Sequence, residues 1–121
     1  MRVHHLAFRT RRLTELEAFY VEALNLVVLR RDQGRSVWLA AGETVLMLEL
    51  ASEEEPAPPP HSLELVAFAM SQIEQGALEK ELGLRQITIE SRTRFTVYFR
   101  DPDGRRIGVS SYEFPDPSRV R

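Results

Sequence analysis

The order of apolar patterns along the sequence predicts an α+β fold made of two βαβββ units. Residues 51–60 hold four of the seven prolines and divide the 121-residue chain into two parts of similar length. Because proline fixes its φ angle and lacks a backbone N–H, this segment is predicted to be an extended linker. Each part shows one strand pattern, one helix pattern and three more strand patterns. One such unit could not bury both faces of its sheet, so two copies are expected to pack together.

The first unit, residues 1–50, is predicted to begin with a strand over residues 3–8. Apolar residues then recur at spacings of three and four from Leu13 to Leu24, the period of an amphipathic helix. Asn25 follows, and asparagine tolerates the positive φ with which many helices end. Three further strands are predicted at residues 26–31, 36–40 and 44–50, the last two joined by a hairpin turn.

The second unit, residues 61–114, repeats this order after the linker. A strand is predicted over residues 63–70, and Ser71 with Glu74 forms the sequence signature of a capping box at the start of a helix. The helix is predicted to run to Leu82 and to end at Gly83, because glycine is the preferred residue after a helix. Further strands are predicted at 84–91, 94–100 and 106–112. Residues 115–121 are predicted to be a tail.

The composition excludes several classes of function. The chain has 16 Lys and Arg against 18 Asp and Glu, and a net charge of -2 provides no long-range attraction to nucleic acid or anionic lipid. It has no cysteine, which excludes disulfides, cysteine-bound zinc and thiol nucleophiles. Apolar stretches fall far short of the ~20 residues that cross a bilayer, and the first residues do not resemble a secretory signal. We therefore expect one cytoplasmic domain over residues 1–121, with neither nucleic acid nor membrane as partner.

Three segments together resemble the vicinal-oxygen-chelate superfamily, which includes glyoxalase I, bleomycin-resistance proteins, fosfomycin-modifying enzymes and extradiol dioxygenases. They are Val3-His4-His5-Leu6-Ala7-Phe8, the helix with Ala18-Phe19-Tyr20 before Leu24-Asn25-Leu26, and Tyr98-Phe99-Arg100-Asp101-Pro102-Asp103-Gly104. The resemblance spans Val3 to Tyr112. It implies that the two units form a cupped, eight-stranded mixed sheet with the helices outside. It also implies a homodimer, which is usual in this family.

The resemblance can be followed position by position at the metal site of the family. Members with a catalytic metal place one ligand on each of four strands in the cup, where a divalent ion polarises oxygens of the substrate. His5 matches the first position and Glu49 the second, but the third and fourth fall at Leu65 and Gly108. Because catalytic zinc usually keeps three protein ligands, no cofactor is expected. If a metal does bind, His5 and Glu49 are its candidate ligands, and zinc, nickel, manganese or iron its candidate identity.

Strand alternation predicts which side chains share the face of His5. Arg9 lies on that face of the first strand, and Glu49 shares a face of its strand with Met47. An unpaired carboxylate among apolar neighbours is costly, so Glu49 is expected to have a histidine, an arginine, a metal or a ligand as partner, and it is a candidate general base. His5 is either a contact of the bound molecule or a hydrogen-bonded structural residue.

The same alternation predicts a pocket for a flat or anionic organic molecule, because it places aromatic rings beside cationic groups. The alternative is that the aromatic side chains only fill space. The predicted ligand-binding residues are His5, Arg9, Trp38, Met47, Arg94, Tyr98 and Tyr112.

Three functions remain open from the sequence. The first is a binding protein for a small organic molecule, similar to the antibiotic-sequestering members of the family. The second is a divalent-metal-dependent lyase, isomerase or dioxygenase, and the third is a degenerate dimerisation module. The sequence identifies neither the ligand nor whether the two units pair within one chain or between chains.

Overall fold

The computed structural model describes residues 1–119 and confirms an α+β protein built from two βαβββ units. The first unit contains β1 His5–Thr10, α1 Leu13–Ala18, a π-helical turn Phe19–Ala23, β2 Val27–Asp32, β3 Ser36–Ala41 and β4 Thr44–Leu50. The second contains β5 Leu65–Ala69, α2 Gln72–Leu84, β6 Ser91–Arg92, β7 Thr96–Arg100 and β8 Arg106–Ser110, followed by a 3-10 turn Pro117–Arg119. Val120 and Arg121, the end of the predicted tail, lie outside the described residues.

The eight strands form two four-stranded mixed sheets with the same connectivity. The first sheet has the order β1-β4-β3-β2 and the second has the order β5-β8-β7-β6. In each unit the first strand pairs in parallel with the last, and the remaining pairs are antiparallel. The second unit therefore repeats the backbone arrangement of the first.

One core joins the two units. Each sheet buries one side, and Leu16 of α1 and Leu82 of α2 are fully buried in the same cluster. Because strand side chains alternate, the opposite side of each sheet carries the other residues, and we call that side its open face. The buried strand residues include Val37, Leu39, Leu46, Leu48, Val97, Phe99, Ile107 and Val109.

A buried polar network lies where the units meet. The Tyr20 hydroxyl, in the π-helical turn, donates to Asp101 Oδ2 at 2.7 Å, and Arg105 Nη1 donates to the same oxygen at 2.7 Å. Burial, and then the charge of Asp101, raises the pKa of Tyr20 well above its ordinary value. The phenol therefore stays protonated and links the first unit to the Asp101–Gly104 turn of the second.

The predicted start of α2 and the predicted conformation of Asn25 hold, whereas the predicted end of α2 and the strand after it do not. The capping box of Ser71 and Glu74 is present, and Asn25 adopts the expected positive φ of 59°. However, α2 continues through Gly83 to Leu84, and the positive φ of 59° falls on Gln86. Of the strand predicted over residues 84–91, Leu84 belongs to the helix, and only Ser91 lies in a strand, β6 Ser91–Arg92.

No helix among residues 1–119 is both long and apolar enough to span a membrane.

Candidate functional site

Strand pairing in the first sheet shows which predicted site residues lie side by side on its open face. His5 pairs with Val45, whereas Met47 lies between Ala7 on β1 and Trp38 on β3. The His5 and Trp38 ring centroids are 5.2 Å apart. This face therefore presents an imidazole and an indole side by side.

His5 and Glu49 share this face but are not brought together. Glu49 lies four residues beyond Val45, the partner of His5, which corresponds to about 13 Å along an extended strand. Nδ1 of His5 instead lies 2.9 Å from Nδ1 of His4, so one ring donates its proton to the other. The two candidate metal ligands of this sheet are therefore too far apart to share one ion.

An arginine is the partner of Glu49. Arg9, opposite Glu49 in the register, donates from Nη1 to Glu49 Oε1, and it also donates from Nε to Glu55 Oε2 at 3.1 Å. The side chains of Arg9 and Glu49 are 45% and 39% exposed, so this pair is accessible from solvent. Hydrogen bonds to Glu55 and Glu49 raise the pKa of Arg9, and the bond to Arg9 is the main cause that lowers the pKa of Glu55 to about 2. Glu49 thus meets one of the partners expected for it.

The open face of the second sheet centres on Tyr98. The Arg106 guanidinium lies 4.3 Å from the centroid of the Tyr98 ring, within the range of a cation–π contact. Arg106 Nε donates to Glu90 Oε1 at 3.1 Å, and Arg100 Nε donates to Glu90 Oε2 at 2.6 Å. These hydrogen bonds, led by that of Arg100, lower the pKa of Glu90. Arg100 lies two residues after Tyr98 on β7, and Arg106 lies two residues before Gly108 on β8. Strand alternation could therefore have identified both arginines as residues of this open face.

Leu65 and Gly108 pack against each other. A Cβ atom placed on Gly108 would lie 3.3 Å from Leu65 Cδ1 and 3.4 Å from Thr96 Cγ2. A larger side chain at position 108 would therefore displace these neighbours. At the third and fourth ligand positions of the resemblance, the structure therefore has an aliphatic side chain and a glycine, neither of which can bind a metal ion.

The strand registers of the two units show which residue of the first unit corresponds to Gly108, and it is not the one that the resemblance gives. Gly108 lies two residues beyond Arg106, the partner of Leu65, and Met47 lies two residues beyond Val45, the partner of His5. Met47, rather than Glu49, is the internal counterpart of the fourth position. Within residues 1–119 there is no group of three or more His, Cys, Asp or Glu that could hold a metal ion. The residues present do not fit a four-ligand metal centre.

Arg94 and Tyr112 lie away from Tyr98. Arg94 precedes β7, and its guanidinium is 5.1 Å from the centroid of the Phe95 ring. Tyr112 follows β8, packs on Phe95 with centroids 5.3 Å apart, and lines a cavity with Ile73 of α2. Alternation predicts side-chain direction only within a strand, and β8 ends at Ser110. The structure therefore places Tyr112 beside the start of α2.

The predicted ligand-binding residues are spread over separate parts of the surface. Arg9 and Tyr112 line two different cavities among residues 1–119, one beside the linker and one beside the start of α2. The aromatic and cationic groups instead lie on the open faces of two separate sheets.

Comparison with solved structures shows the same fold in several proteins. The fosfomycin resistance protein FosX from Listeria monocytogenes matches with a TM-score of 0.77 at 12% identity, over 93% of this chain and 92% of that one. A glyoxalase/dioxygenase from Nostoc punctiforme matches with a TM-score of 0.76 at 22% identity, over 89% and 88%. The trypanothione-dependent glyoxalase I of Leishmania major matches with a TM-score of 0.74 at 23% identity, over 91% and 86%.

Sequence comparison identifies the family. No curated protein matches the chain. The model of one family matches residues 2–109, which includes both βαβββ units and the linker between them. The chain therefore belongs to the Glyoxalase/Bleomycin resistance protein/Dioxygenase superfamily.

Proposed function

We propose that this chain binds a small, flat, anionic organic molecule on its open sheet faces without a metal quartet of its own. The observation that carries the proposal is the absence of a ligand atom at Leu65 and Gly108, the third and fourth positions, where a Cβ atom added to Gly108 would already lie 3.3 Å from Leu65 Cδ1. Trp38 and Tyr98 remain on the open faces as aromatic surfaces. Binding through rings and charged groups requires neither of the absent ligands.

The charge of the second sheet favours an anionic ligand. Arg100 and Arg106 share the single carboxylate of Glu90, so this cluster keeps an excess of positive charge. The Arg106 guanidinium is planar, lies over Tyr98, and its side chain is only 14% exposed. A guanidinium held in this way can stack on an aromatic ring and donate to a carboxylate.

The proposal includes a homodimer. Because the predicted ligand-binding residues of one chain are spread over separate parts of the surface, we propose that the first sheet of one copy covers the second sheet of its partner. His5, Arg9, Trp38 and Met47 of one copy would then face Tyr98 and Arg106 of the other. A symmetric pair would hold two such sites, since the same contact occurs twice about a two-fold axis.

A panel of aromatic carboxylates, each compared with its neutral amide, tests this function by thermal shift and by the fluorescence of the single tryptophan, Trp38. A ligand at ~100 times its Kd adds about 2.7 kcal/mol and should raise the melting temperature clearly. We expect Tyr98→Ala and Arg106→Gln to abolish the response. Tyr112→Ala, which removes an aromatic ring away from Tyr98, should leave the response unchanged.

Two results would overturn the proposal. One is the absence of any response across the panel. The other is purified protein that carries one equivalent of a divalent metal and loses it in His5→Ala. Light scattering measures the oligomeric state, and a strictly monomeric protein would contradict the shared site.

A further inference from the structure

The linker returns to the open face of the first sheet and presents a carboxylate to Arg9. Arg9 donates from Nε to Glu55 Oε2 at 3.1 Å and from Nη2 to Glu55 Oε1, which is a bidentate pair. Its Nη1 donates to Glu49. Arg9 is therefore occupied by two carboxylates of its own chain, although it belongs to the proposed binding face.

The linker backbone is held so that Glu55 reaches Arg9. Arg11 Nη2 donates to the carbonyl oxygen of Glu53 at 2.6 Å and also to that of Glu55. The Glu55 amide donates to the Ser52 carbonyl at 3.2 Å, which closes a turn. Pro56 restricts the backbone of Glu55 to extended conformations. These restraints keep the carboxylate near Arg9 at a high effective concentration.

The space beside this ion pair can receive another anion. A cavity of about 220 Å³ is lined by Arg9, Arg11 and Arg12 and by the acidic residues Glu55 and Asp103. Its lining therefore carries one more positive than negative charge. If the Glu55 carboxylate leaves, the excess rises to two. Pro56 and Pro58 supply apolar walls.

We infer that Glu55 is a tethered competitor, whose carboxylate occupies Arg9 until an anionic ligand displaces it. The inference rests on the proposed function, because it assumes that an organic anion reaches the open face of the first sheet. The ligand's carboxylate takes the two donors that Glu55 releases, and the Glu55 side chain turns toward solvent. The backbone of the linker stays in place, since Arg11 continues to hold it.

Benzoate is the probe for this competition, with benzamide as its neutral counterpart, and the complete chain is titrated at low salt by calorimetry. Because apparent affinity falls with the fraction of time that Arg9 is occupied, we expect Glu55→Gln to bind benzoate about fivefold more tightly than the unmodified protein. Glu54→Gln removes the same charge one residue away, at a side chain with no contact to Arg9 in the described structure. It should bind benzoate like the unmodified protein.

A second variant separates the tether from the charge. Pro56→Ala relaxes the backbone at Glu55 and changes no charge of the cavity, so benzoate should bind more tightly than to the unmodified protein, by less than in Glu55→Gln. The NMR signal of the Arg9 Nε–H group gives a direct readout. Benzoate should shift it in the unmodified protein, where it replaces Glu55, whereas benzamide should not.

The outcomes distinguish this inference from the proposed function. If benzoate binds Glu55→Gln and the unmodified protein equally, or if Glu54→Gln has the same effect as Glu55→Gln, the competition is refuted while ligand binding stands. Failure of benzoate to bind any variant also refutes the competition. If, in addition, no member of the aromatic panel changes the melting temperature, the proposed function fails as well.

Discussion

The open faces of the two sheets differ far more than their backbones do. In the first sheet, charges pair across neighbouring strands, as Arg9 does with Glu49. In the second, the matching strands carry small or apolar groups, and the charge lies at the strand ends as Arg106 over Tyr98. The two sheets can be compared position by position from their strand registers. Residues at equivalent positions of the first and second sheets are His5 and Leu65, Ala7 and Ala67, Arg9 and Ala69, Val45 and Arg106, Met47 and Gly108, and Glu49 and Ser110.

The buried faces show the opposite trend. Leu46 and Leu48 of β4 and Ile107 and Val109 of β8 are all fully buried aliphatic residues. Close packing restricts the volume and polarity of side chains on this side in both units, because a core tolerates neither voids nor unpaired polar groups. An open face has no such restriction. The comparison therefore shows that one fold can keep its core while each sheet acquires its own surface chemistry.

The largest effect is expected where the two units meet. Asp101 accepts hydrogen bonds from Tyr20, from the Arg105 side chain and from the backbone amides of Asp103 and Arg105. Asp101→Ala leaves these buried donors without an acceptor, so we expect a loss of about 3–5 kcal/mol in unfolding free energy. Urea denaturation measures it. Asp116→Ala, in an exposed turn, is the control, and a loss below ~1 kcal/mol at position 101 would show that the units do not depend on this network.

A substitution with a smaller expected effect, Gly108→Glu, tests whether Leu65 occupies the space beside position 108. Gly108→Glu must displace Leu65, so we expect it to cost about 1–3 kcal/mol of stability. In a Leu65→Ala background the cost should fall by about 1 kcal/mol, because the obstructing side chain is gone. Leu63→Ala, which removes an exposed leucine, should give no such relief. Equal costs in all three backgrounds would mean that Leu65 does not occupy this space.

A pH series tests the charge pairing of the first sheet. The folded-state pKa of Glu55 is lowered to about 2 from a reference value of 4.5, so its contribution to stability is complete above the unfolded-state pKa and is lost as pH falls toward 2. The stability difference between the unmodified protein and Glu55→Gln should therefore be largest at neutral pH and disappear near pH 2. Glu54→Gln, which removes the same charge from a side chain that does not contact Arg9 in the described residues, is the matched control. Unfolding midpoints from pH 7 to 2 measure this, and a constant difference would exclude the ion pair.

Local signals predicted most of the fold. Alternation placed Arg9 on the face of His5 and Met47 on the face of Glu49, and the capping box placed the start of α2. The end of α2 was missed because Gly83 carries the usual stop signal, whereas the left-handed residue that follows the helix is Gln86. The helix closes where the Ile87 amide donates to the Leu82 carbonyl at 2.9 Å and the Ile87 side chain packs against the core.

The candidate site was predicted less completely than the fold. Strand alternation predicts on which face of a sheet a side chain lies, but it does not predict which residues of neighbouring strands lie opposite each other. His5 and Glu49 were assigned to the same face, yet only strand pairing shows that four residues separate them along β4. The contact between Arg9 and Glu55 joins residues 46 positions apart, and no local pattern indicates it. The proline content predicted an extended linker. The conformation of the linker depends on contacts with Arg9 and Arg11, which composition does not reveal.

The smallest effect compares the two helix ends. Asn25 and Gln86 both have φ of 59°, but a left-handed conformation costs about 1–2 kcal/mol for most residues and less for asparagine. Gln86→Gly should therefore stabilise the protein by about 0.5–1 kcal/mol, after the greater chain entropy of glycine in the unfolded state is subtracted. Asn25→Gly should change stability by only a few tenths of a kcal/mol. Shifts in urea midpoint at constant m-value measure both, and an equal gain at the two positions would show that Gln86 carries no more strain than Asn25.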